Sequence, residues 1–176
     1  MTRRSIDVFF LMGLAISLCA STGRAEDGGP ISNFHEVIPG VYRGGRPDKA
    51  GLEYLQGLGV KTDLDLENIE DVVNEEVQDG TKLQIDVVAE EMSPYTTPDD
   101  AQVARIQALL NDTNRRPIFV HCHYGEDRTG VMVGLFRVVS ENWTQQNAYQ
   151  EMLDLGFHTS LRALKNYFFA KTGSAK

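Results

Sequence analysis

The sequence predicts an α/β domain in which a central, mostly parallel sheet is flanked by helices. Short apolar, β-prone runs alternate with longer stretches whose apolar residues recur at helical spacing, and this order is typical of βα units. Glycine and proline separate the runs at turn positions. With 176 residues, 41% of them hydrophobic, the chain is long enough for one domain with its own core.

Local signals define the elements of the N-terminal half. The tetrad IPGV at 38–41 predicts a tight turn between two short strands, because proline and glycine fit its two corners. Pro47 stands near the first turn of a helix that Gly59 ends. A strand over 60–66 and an acidic amphipathic helix follow. The predicted buried residues are Leu52, Leu55 and Leu58 in the first helix and Ile69, Val72, Val73 and Val77 in the second.

The C-terminal half continues the alternation. Helix starts are marked by the TPDD segment and by Thr144, both of which supply N-terminal capping side chains. In order, the predicted segments are strand 83–89, helix 97–111, strand 117–120, helix 131–139, helix 143–155 and helix 161–170.

The first 25 residues have the three parts of a secretory signal peptide. Arg3 and Arg4 precede an apolar run over 8–20, and small residues up to Ala25 follow it. The run is shorter than the ~20 apolar residues of a membrane span. We expect cleavage after Ala25 and a bacterial protein in the periplasm or outside the cell; a retained anchor and lipid attachment at Cys19 are the alternatives.

These signals divide the chain into a signal peptide over 1–25, a flexible leader over 26–35, one domain over 36–171 and a loose tail over 172–176. Cleavage leaves 14 basic and 24 acidic residues, a net charge of −10. Such a surface argues against nucleic acid and against stable membrane association as partners. Cys122 would be the only remaining cysteine, so no intramolecular disulfide can form. No pattern in the sequence indicates an oligomeric state.

The segment at 121–130, HCHYGEDRTG, is the most informative part of the sequence about the chemistry of the protein. It joins a predicted strand to a predicted helix, and Cys122 and Arg128 bracket five residues within it. A glycine-containing turn before a helix N-terminus cradles anions, because backbone N–H groups and the helix dipole both favour negative charge. Arg128 adds a planar pair of donors that suits phosphate oxygens. A cysteine in this cradle should ionise readily and attack a bound phosphate.

This segment resembles the phosphate-binding loop of the cysteine-dependent protein tyrosine and dual-specificity phosphatases, HCxxGxxR[ST]G. Six positions match: His121, Cys122, Gly125, Arg128, Thr129 and Gly130. The segments at 38–47 and 57–62 are similar to the opening of compact atypical dual-specificity phosphatases and their bacterial phytase-like relatives, so the resemblance covers roughly 37–170. It implies a minimal protein tyrosine phosphatase-like fold and hydrolysis of phosphate monoesters through a phosphocysteine intermediate, without a cofactor.

The resemblance also implies roles within the loop. Cys122 would attack phosphorus while Arg128 and the loop amides hold the phosphoryl oxygens. The Thr129 hydroxyl would hydrogen-bond the Cys122 sulfur and help it leave, with helix capping as a compatible role. His121 would bond the backbone and orient the loop. The positions expected to contact substrate are His123, Tyr124, Gly125, Glu126 and Gly130, and the two glycines are expected to permit tight backbone geometry.

Two aspartates are candidates for the acid that protonates the leaving group. Most of the superfamily places this aspartate some tens of residues before the cysteine, but the segment 90–100 lacks a clean match. Asp127, inside the loop, is the preferred candidate; its alternative role is to pair with Arg43 or Arg46, which line either the pocket mouth or the solvated surface. Asp99 is the second candidate, and its alternative role is to stabilise a helix N-terminus.

The sequence predicts no metal site. Successive residues of a strand point to opposite faces, so the consecutive His121, Cys122 and His123 cannot easily converge on one ion. His35 and His158 stand alone in the sequence and are interpreted as surface or packing residues.

Several functions remain open at this point. Phosphotyrosine-type phosphoproteins and inositol polyphosphates are the candidate substrates, and the acidic Glu126 and Asp127 favour singly phosphorylated ligands. A non-catalytic module that binds phosphorylated ligands would usually have lost Cys122 or Arg128. A rhodanese-type sulfur-transfer protein is disfavoured by Arg128 and the Thr-Gly that follows it.

Overall fold

The structure is a computed structural model that describes residues 29–173. The predicted signal peptide and residues 174–176 lie outside this range. The strands within it are β1 His35–Ile38, β2 Val41–Gly45, β3 Thr62–Asp65, β4 Asp86–Ala89 and β5 Ile118–Cys122. The α-helices within it are α1 Lys49–Gly57, α2 Glu70–Lys82, α3 Asp100–Asn111, α4 Arg128–Val139, α5 Gln145–Asp154 and α6 Arg162–Thr172.

The strands form one sheet in the order β1-β2-β5-β3-β4. Strands β2, β5, β3 and β4 run parallel, and β1 pairs antiparallel with β2. Strand β5 lies in the centre, where Ile118, Phe119 and Val120 are fully buried. The predicted α/β class with a mostly parallel sheet is therefore confirmed.

Two hydrophobic cores cover the two faces of this sheet. Helix α4, buried along nearly its whole length, packs against α3, α5 and α6 in the larger core. The smaller core joins α1 to Ile31 and Phe119. Because Phe119 points away from the face of Ile118 and Val120, β5 serves both cores. The carboxyl end of β5, where α/β sheets commonly bind ligands, is thereby fixed from both faces.

Helix α2 buries a different face from the one predicted. Val73 is buried, but Ile69 and Val77 are 50% and 37% exposed, and Glu76 and Gly80 are buried instead. A Cβ at Gly80 would overlap a side chain of β4, so glycine permits the close approach of helix and strand. Glu76 contacts a buried histidine of β5. A polar contact, rather than an apolar stripe, therefore accompanies the docking of α2.

Some element ends also differ from the prediction. Leu58, predicted to be buried, is the C-cap of α1 and is 36% exposed. Strand β4 starts at Asp86 rather than at Leu83, because Leu83 caps α2 and Gln84 takes a left-handed φ of 62°. These residues complete helix ends instead of extending the neighbouring structure.

The expected flexible leader does not extend to residue 35. Ile31 is buried, and the Ser32 carbonyl accepts a 2.8 Å hydrogen bond from Gly45 N–H. At the other end, Thr172 belongs to α6 and is fully buried, so the expected loose tail does not begin there. Within residues 29–173, no helix is long and apolar enough to cross a membrane.

Candidate active site

The segment between β5 and α4, residues 122–128, is here called the cysteine loop. Its turn depends on Gly125, which has a left-handed φ of 72° and lies so close to Gly44 of β2 that a Cβ would overlap the backbone there. Gly130 was expected to serve the same purpose. It lies within α4, where a Cβ would make only ordinary contacts at 3.9 Å, so tight geometry is required at Gly125 alone of the two.

The Gly125 carbonyl anchors the cysteine loop to the N-terminal part of the chain. Arg43, only 1% exposed, donates to this oxygen over 2.6 Å, and Asn33 donates to it over 3.2 Å. Burial lowers the pKa of Arg43 to about 10, so the guanidinium stays charged at neutral pH. Arg43 is thus a buried support of the loop and is not among the described residues that line the cleft of Cys122. Arg46 is partly exposed and lies 3.9 Å from the Glu67 carboxylate.

Cys122 lines a cleft of about 580 Å³, although the residue is only 2% exposed. Four segments form the cleft walls: residues 67–69 after β3, residues 94–95, the cysteine loop, and residues 158–161 before α6. The contributing loop residues include Cys122, His123, Tyr124, Asp127 and Arg128. The structure therefore brings five of the eleven predicted site residues to one cavity, including the proposed nucleophile, arginine and preferred acid.

Arg128 is held in place by acceptors that follow β3. Its Nη1 donates to Glu67 Oε1 over 3.0 Å, to Asn68 Oδ1 over 2.9 Å and to the Leu66 carbonyl over 3.0 Å. Burial alone would raise the pKa of Glu67, but the Asn68 N–H bond and the charge of Arg128 outweigh it and hold the pKa below its usual value. Sequence reasoning missed Glu67. Its position directly after a predicted parallel strand was the available signal.

Asp127 pairs with a histidine, not with Arg43 or Arg46. Its Oδ1 accepts a 2.8 Å hydrogen bond from the backbone N–H of His158, and both carboxylate oxygens lie 3.2 Å from His158 Nδ1. Glu126 is 3.7 Å from the same ring nitrogen. The side chain of Asp127 is 16% exposed and that of His158 is 59% exposed. His158, which looks isolated in the sequence, therefore lies in the cleft beside Asp127.

Asp99, the second candidate acid, caps a helix. Its carboxylate accepts a 2.9 Å hydrogen bond from Gln102 N–H at the start of α3. Upstream of it, the cleft is lined by Pro94 and by Tyr95, which is 80% exposed. Among the residues that the structure describes, Asp99 is not part of the cleft wall, whereas Asp127 is.

Two side chains beside the cysteine make different contacts from those expected. The Thr129 hydroxyl is buried without a hydrogen-bond partner among residues 29–173, so the expected bond to the Cys122 sulfur is not formed. His121 bonds a carboxylate rather than the backbone, with Nε2 2.8 Å from Glu76 Oε1 and 3.2 Å from Asp63 Oδ1. Burial would lower the pKa of His121, but these two carboxylates outweigh it and hold the pKa well above its usual value.

The remaining loop residues form an aromatic and acidic rim. The His123 ring meets the Tyr124 ring edge-on at 4.3 Å between centroids, and Tyr124 is 61% exposed. His123 Nδ1 also lies 3.2 Å from Glu67 Oε2. Glu126 packs against Gly156, where a Cβ would collide with it. Arg128 is the only lysine or arginine among the described residues that line the cleft.

The fold and the cysteine loop are those of the protein tyrosine and dual-specificity phosphatase superfamily. A family profile described as a DSP-PTPase phosphatase fused to NAD+ kinase matches residues 25–167. The chain therefore belongs to this family.

Named relatives lie in bacteria and plants. The dual specificity protein phosphatase TpbA of Pseudomonas aeruginosa is 29% identical over 129 residues, which cover 73% of this chain and 56% of the relative. The inositol diphosphatase DSP4 of Arabidopsis thaliana is 28% identical over 125 residues, which cover 69% of this chain and 63% of the relative. The chain thus spans somewhat more than half the length of these relatives.

Solved structures match the same fold. The crystal structure of TpbA from P. aeruginosa superposes with a TM-score of 0.68 at 25% identity, over 79% of this chain and 84% of that chain. The catalytic core of the phosphatase SIW14 from Saccharomyces cerevisiae, crystallised with citrate, has a TM-score of 0.67 at 21% identity, over 78% and 87% of the two chains.

Proposed function

We propose that this protein is an exported phosphatase that hydrolyses phosphate monoesters through a phosphocysteine intermediate. The observation that carries the proposal is that Cys122 and Arg128 line one cleft, at the carboxyl end of β5 and the N-terminus of α4. This cleft is therefore bordered by a nucleophile, a fixed cation and a helix N-terminus. Together these three groups suit the binding and transfer of a phosphoryl group.

In the first step, the Cys122 thiolate attacks phosphorus. The S–P bond forms as the P–O bond to the leaving group breaks, while Arg128 and backbone N–H groups stabilise the three remaining oxygens. The contacts of Arg128 with Glu67 and Asn68 hold the guanidinium at the cleft before substrate binds. This positioning reduces the reorganisation that the transition state requires.

The leaving oxygen takes its proton from the Asp127–His158 pair. An ordinary aspartate has lost its proton well below neutral pH, whereas histidine gives up its proton near neutrality and matches the operating pH of a general acid better. Both oxygens of the Asp127 carboxylate lie 3.2 Å from His158 Nδ1. His158 Nε2–H then donates to the leaving oxygen, and Asp127 orients the ring and completes the acid.

In the second step, water attacks phosphorus, the S–P bond breaks and phosphate leaves. The neutral His158 ring accepts the proton of the attacking water, as the reverse of its first role. The Thr129 hydroxyl, which lacks a partner in the described part of the chain, donates to the departing sulfur. The cysteine thereby returns as a thiolate.

The cleft favours a singly phosphorylated, aromatic substrate. Its polar wall includes Glu67 and Asp127, and Arg128 is its only permanent cation among the described residues, whereas a polyanion needs several. Tyr95 and Tyr124 are largely exposed aromatic side chains on the wall that can contact a phenyl ring. A phosphotyrosine-type phosphoprotein is therefore the proposed substrate. TpbA, a relative of this chain, was crystallised in complex with pTyr.

Inositol phosphates are the second candidate substrates, because relatives such as DSP4 are named inositol diphosphatases. Phosphopeptides and inositol phosphates, assayed side by side at one enzyme concentration, distinguish the two. Higher kcat/KM for phosphotyrosine peptides supports the proposed substrate. Higher kcat/KM for inositol phosphates would refute it and favour the second candidate.

Replacement of Cys122 tests the mechanism. Cys122→Ser should lower turnover more than about 1000-fold, as expected on loss of a covalent step, while retaining phosphate or vanadate binding. Residual turnover above that level would refute the covalent mechanism. A wild-type protein that binds phosphorylated ligands without hydrolysing an activated aryl phosphate would instead be a non-catalytic binding module.

A further inference from the structure

We propose that the protein binds a divalent first-row transition-metal cation, such as Mn²⁺ or Zn²⁺, in a buried site directly behind the cysteine loop. The site is formed by Asp63 and Asp65 of β3, Glu76 of α2 and His121 of β5. It is separate from the cleft in which phosphate chemistry is proposed, and none of its residues has been given a chemical step. The proposal does not depend on the proposed phosphatase activity.

Asp63, Glu76 and His121 converge on one point, and Asp65 lies next to His121. His121 Nε2 lies 2.8 Å from Glu76 Oε1, 3.2 Å from Asp63 Oδ1 and 3.6 Å from Asp65 Oδ1. Ligand atoms held about 2.0–2.2 Å from one cation in tetrahedral geometry are about 3.3–3.6 Å apart. The ligand atoms of Asp63, Glu76 and His121 all lie within 4.8 Å of one another. Three carboxylates and one imidazole are a donor set suited to Mn²⁺ or Zn²⁺.

Hydrogen bonds within the chain leave this cluster unsatisfied. A single N–H on His121 Nε2 can serve one acceptor well, and Glu76 Oε1 is the closest. Asp63 is fully buried, and among residues 29–173 neither of its carboxylate oxygens is in hydrogen-bond geometry, although Oδ1 lies 3.2 Å from His121 Nε2. Asp65 Oδ2 and Glu76 Oε2 are also buried without partners. Buried polar atoms of this kind call for a partner that the described residues do not supply.

The charge of the cluster points to a cation. Asp63, Asp65 and His121 are fully buried, and Glu76 is 5% exposed. If ionised, the three carboxylates carry −3, and one imidazolium compensates only a third of that charge. Burying unpaired charge is strongly unfavourable. A divalent cation bound by neutral His121 removes most of the imbalance and supplies a partner for the unbonded oxygens.

One ligand of the cluster, Glu76, borders a groove at the surface. Glu76 lines a surface groove of about 250 Å³ between the start of α1 and helix α2. The groove is lined by four acidic residues, Asp48, Glu75, Glu76 and Asp79, and by two basic ones, Arg46 and Lys49, so its wall has an excess of negative charge that attracts cations. The groove thus joins the solvent to the one ligand of the cluster that is not fully buried.

The site would stabilise the base of the cysteine loop. His121 directly precedes Cys122, and Asp65 Oδ1 accepts a 2.7 Å hydrogen bond from Glu67 N–H. Glu67 in turn bonds Arg128. A bound cation therefore fixes β3 and β5 at the points from which the nucleophile and the arginine leave the sheet.

The metal content of the full chain, measured by elemental mass spectrometry after desalting, tests the site. Wild-type protein grown with Mn²⁺ and Zn²⁺ should retain close to one cation per chain. Removal by a chelator should lower the melting temperature, and one equivalent of Mn²⁺ or Zn²⁺ should restore it. The proposal is overturned if the wild-type chain retains no metal and neither cation raises its melting temperature. This result requires no variant.

Substitutions then locate the cation. Asp63→Asn and Glu76→Gln should each lower the metal content at least tenfold, whereas Glu70→Gln, the same change at an exposed position of α2 that does not line the groove, should leave it unchanged. Metal retained by Glu76→Gln at the wild-type level contradicts the assignment. Glu126, Asp127 and His158 also lie close enough to hold an ion. Loss of the cation in Asp127→Asn but not in Asp63→Asn would move the site there and overturn the proposal.

Discussion

Replacing Asp127 with asparagine separates its proposed chemical role from its structural one. Asparagine keeps an oxygen that can accept the 2.8 Å hydrogen bond from His158 N–H, so the local fold should persist. We expect the free energy of unfolding to fall by no more than about 1 kcal/mol, the value of one hydrogen bond. The carboxylate charge that faces His158 Nδ1 is lost, however. Loss of a general acid slows a reaction about 10²–10⁴-fold, or about 3–5 kcal/mol of barrier.

The loss should depend on the leaving group. Nitrophenyl phosphate, whose phenolate leaves without a proton, should be hydrolysed by Asp127→Asn nearly as fast as by the wild type. An alkyl phosphate should show the full loss, because the departing alkoxide needs the proton. His158→Gln should reproduce this pattern. Asp99→Asn, the matched control at the α3 cap, should affect both esters equally and slightly.

Two results would refute this reasoning. Equal losses for both ester types in Asp127→Asn would mean that the aspartate only supports the loop. Leaving-group dependence that appears in Asp99→Asn, and not in Asp127→Asn, would move the acid to the segment before α3. Steady-state kcat/KM for the two esters, with circular dichroism to verify folding, is sufficient to decide.

Three further predictions concern the loop and the chain end. Arg128→Lys should lose most kcat/KM on aryl phosphates, since an ammonium cannot reproduce a planar two-pronged contact; near wild-type values would contradict that role. Gly125→Ala should lower both the urea midpoint and activity because its Cβ would overlap the Gly44 backbone, while Gly130→Ala should leave the midpoint nearly unchanged; equal effects would argue against the steric account. Intact-mass analysis of protein from its native host should place the mature N-terminus near Glu26, and a retained Met1 would exclude cleavage.

The sequence predicted those features that depend on neighbouring residues. The alternation of strands and helices, the Thr144 cap and the turn at Gly125 all follow from local patterns, and the structure has each of them. The link between Cys122 and Arg128 is also local, since one loop holds both residues. These features require only backbone conformation and helical periodicity, which a single segment encodes.

Contacts between residues that are distant in the sequence could not be predicted. His158 is 31 positions from Asp127, and Glu67 is 61 positions from Arg128. Their meeting depends on sheet order and on how the segment before α6 packs, neither of which leaves a periodic signal. The burial of Glu76 could not be predicted for another reason. Helix α2 contains several acidic residues, and its sequence does not distinguish the buried carboxylate from the exposed ones.

The hydrogen bonds to the Gly125 carbonyl limit what can be transplanted from this protein. Arg43 and Asn33 donate to that oxygen from positions 82 and 92 residues away along the chain. Copying residues 121–130 into another strand–helix scaffold would reproduce the spacing of the motif but not the donors that fix its curvature. The smallest transferable unit is therefore discontinuous, and an engineered cysteine phosphatase should import an arginine on the adjoining strand together with the loop.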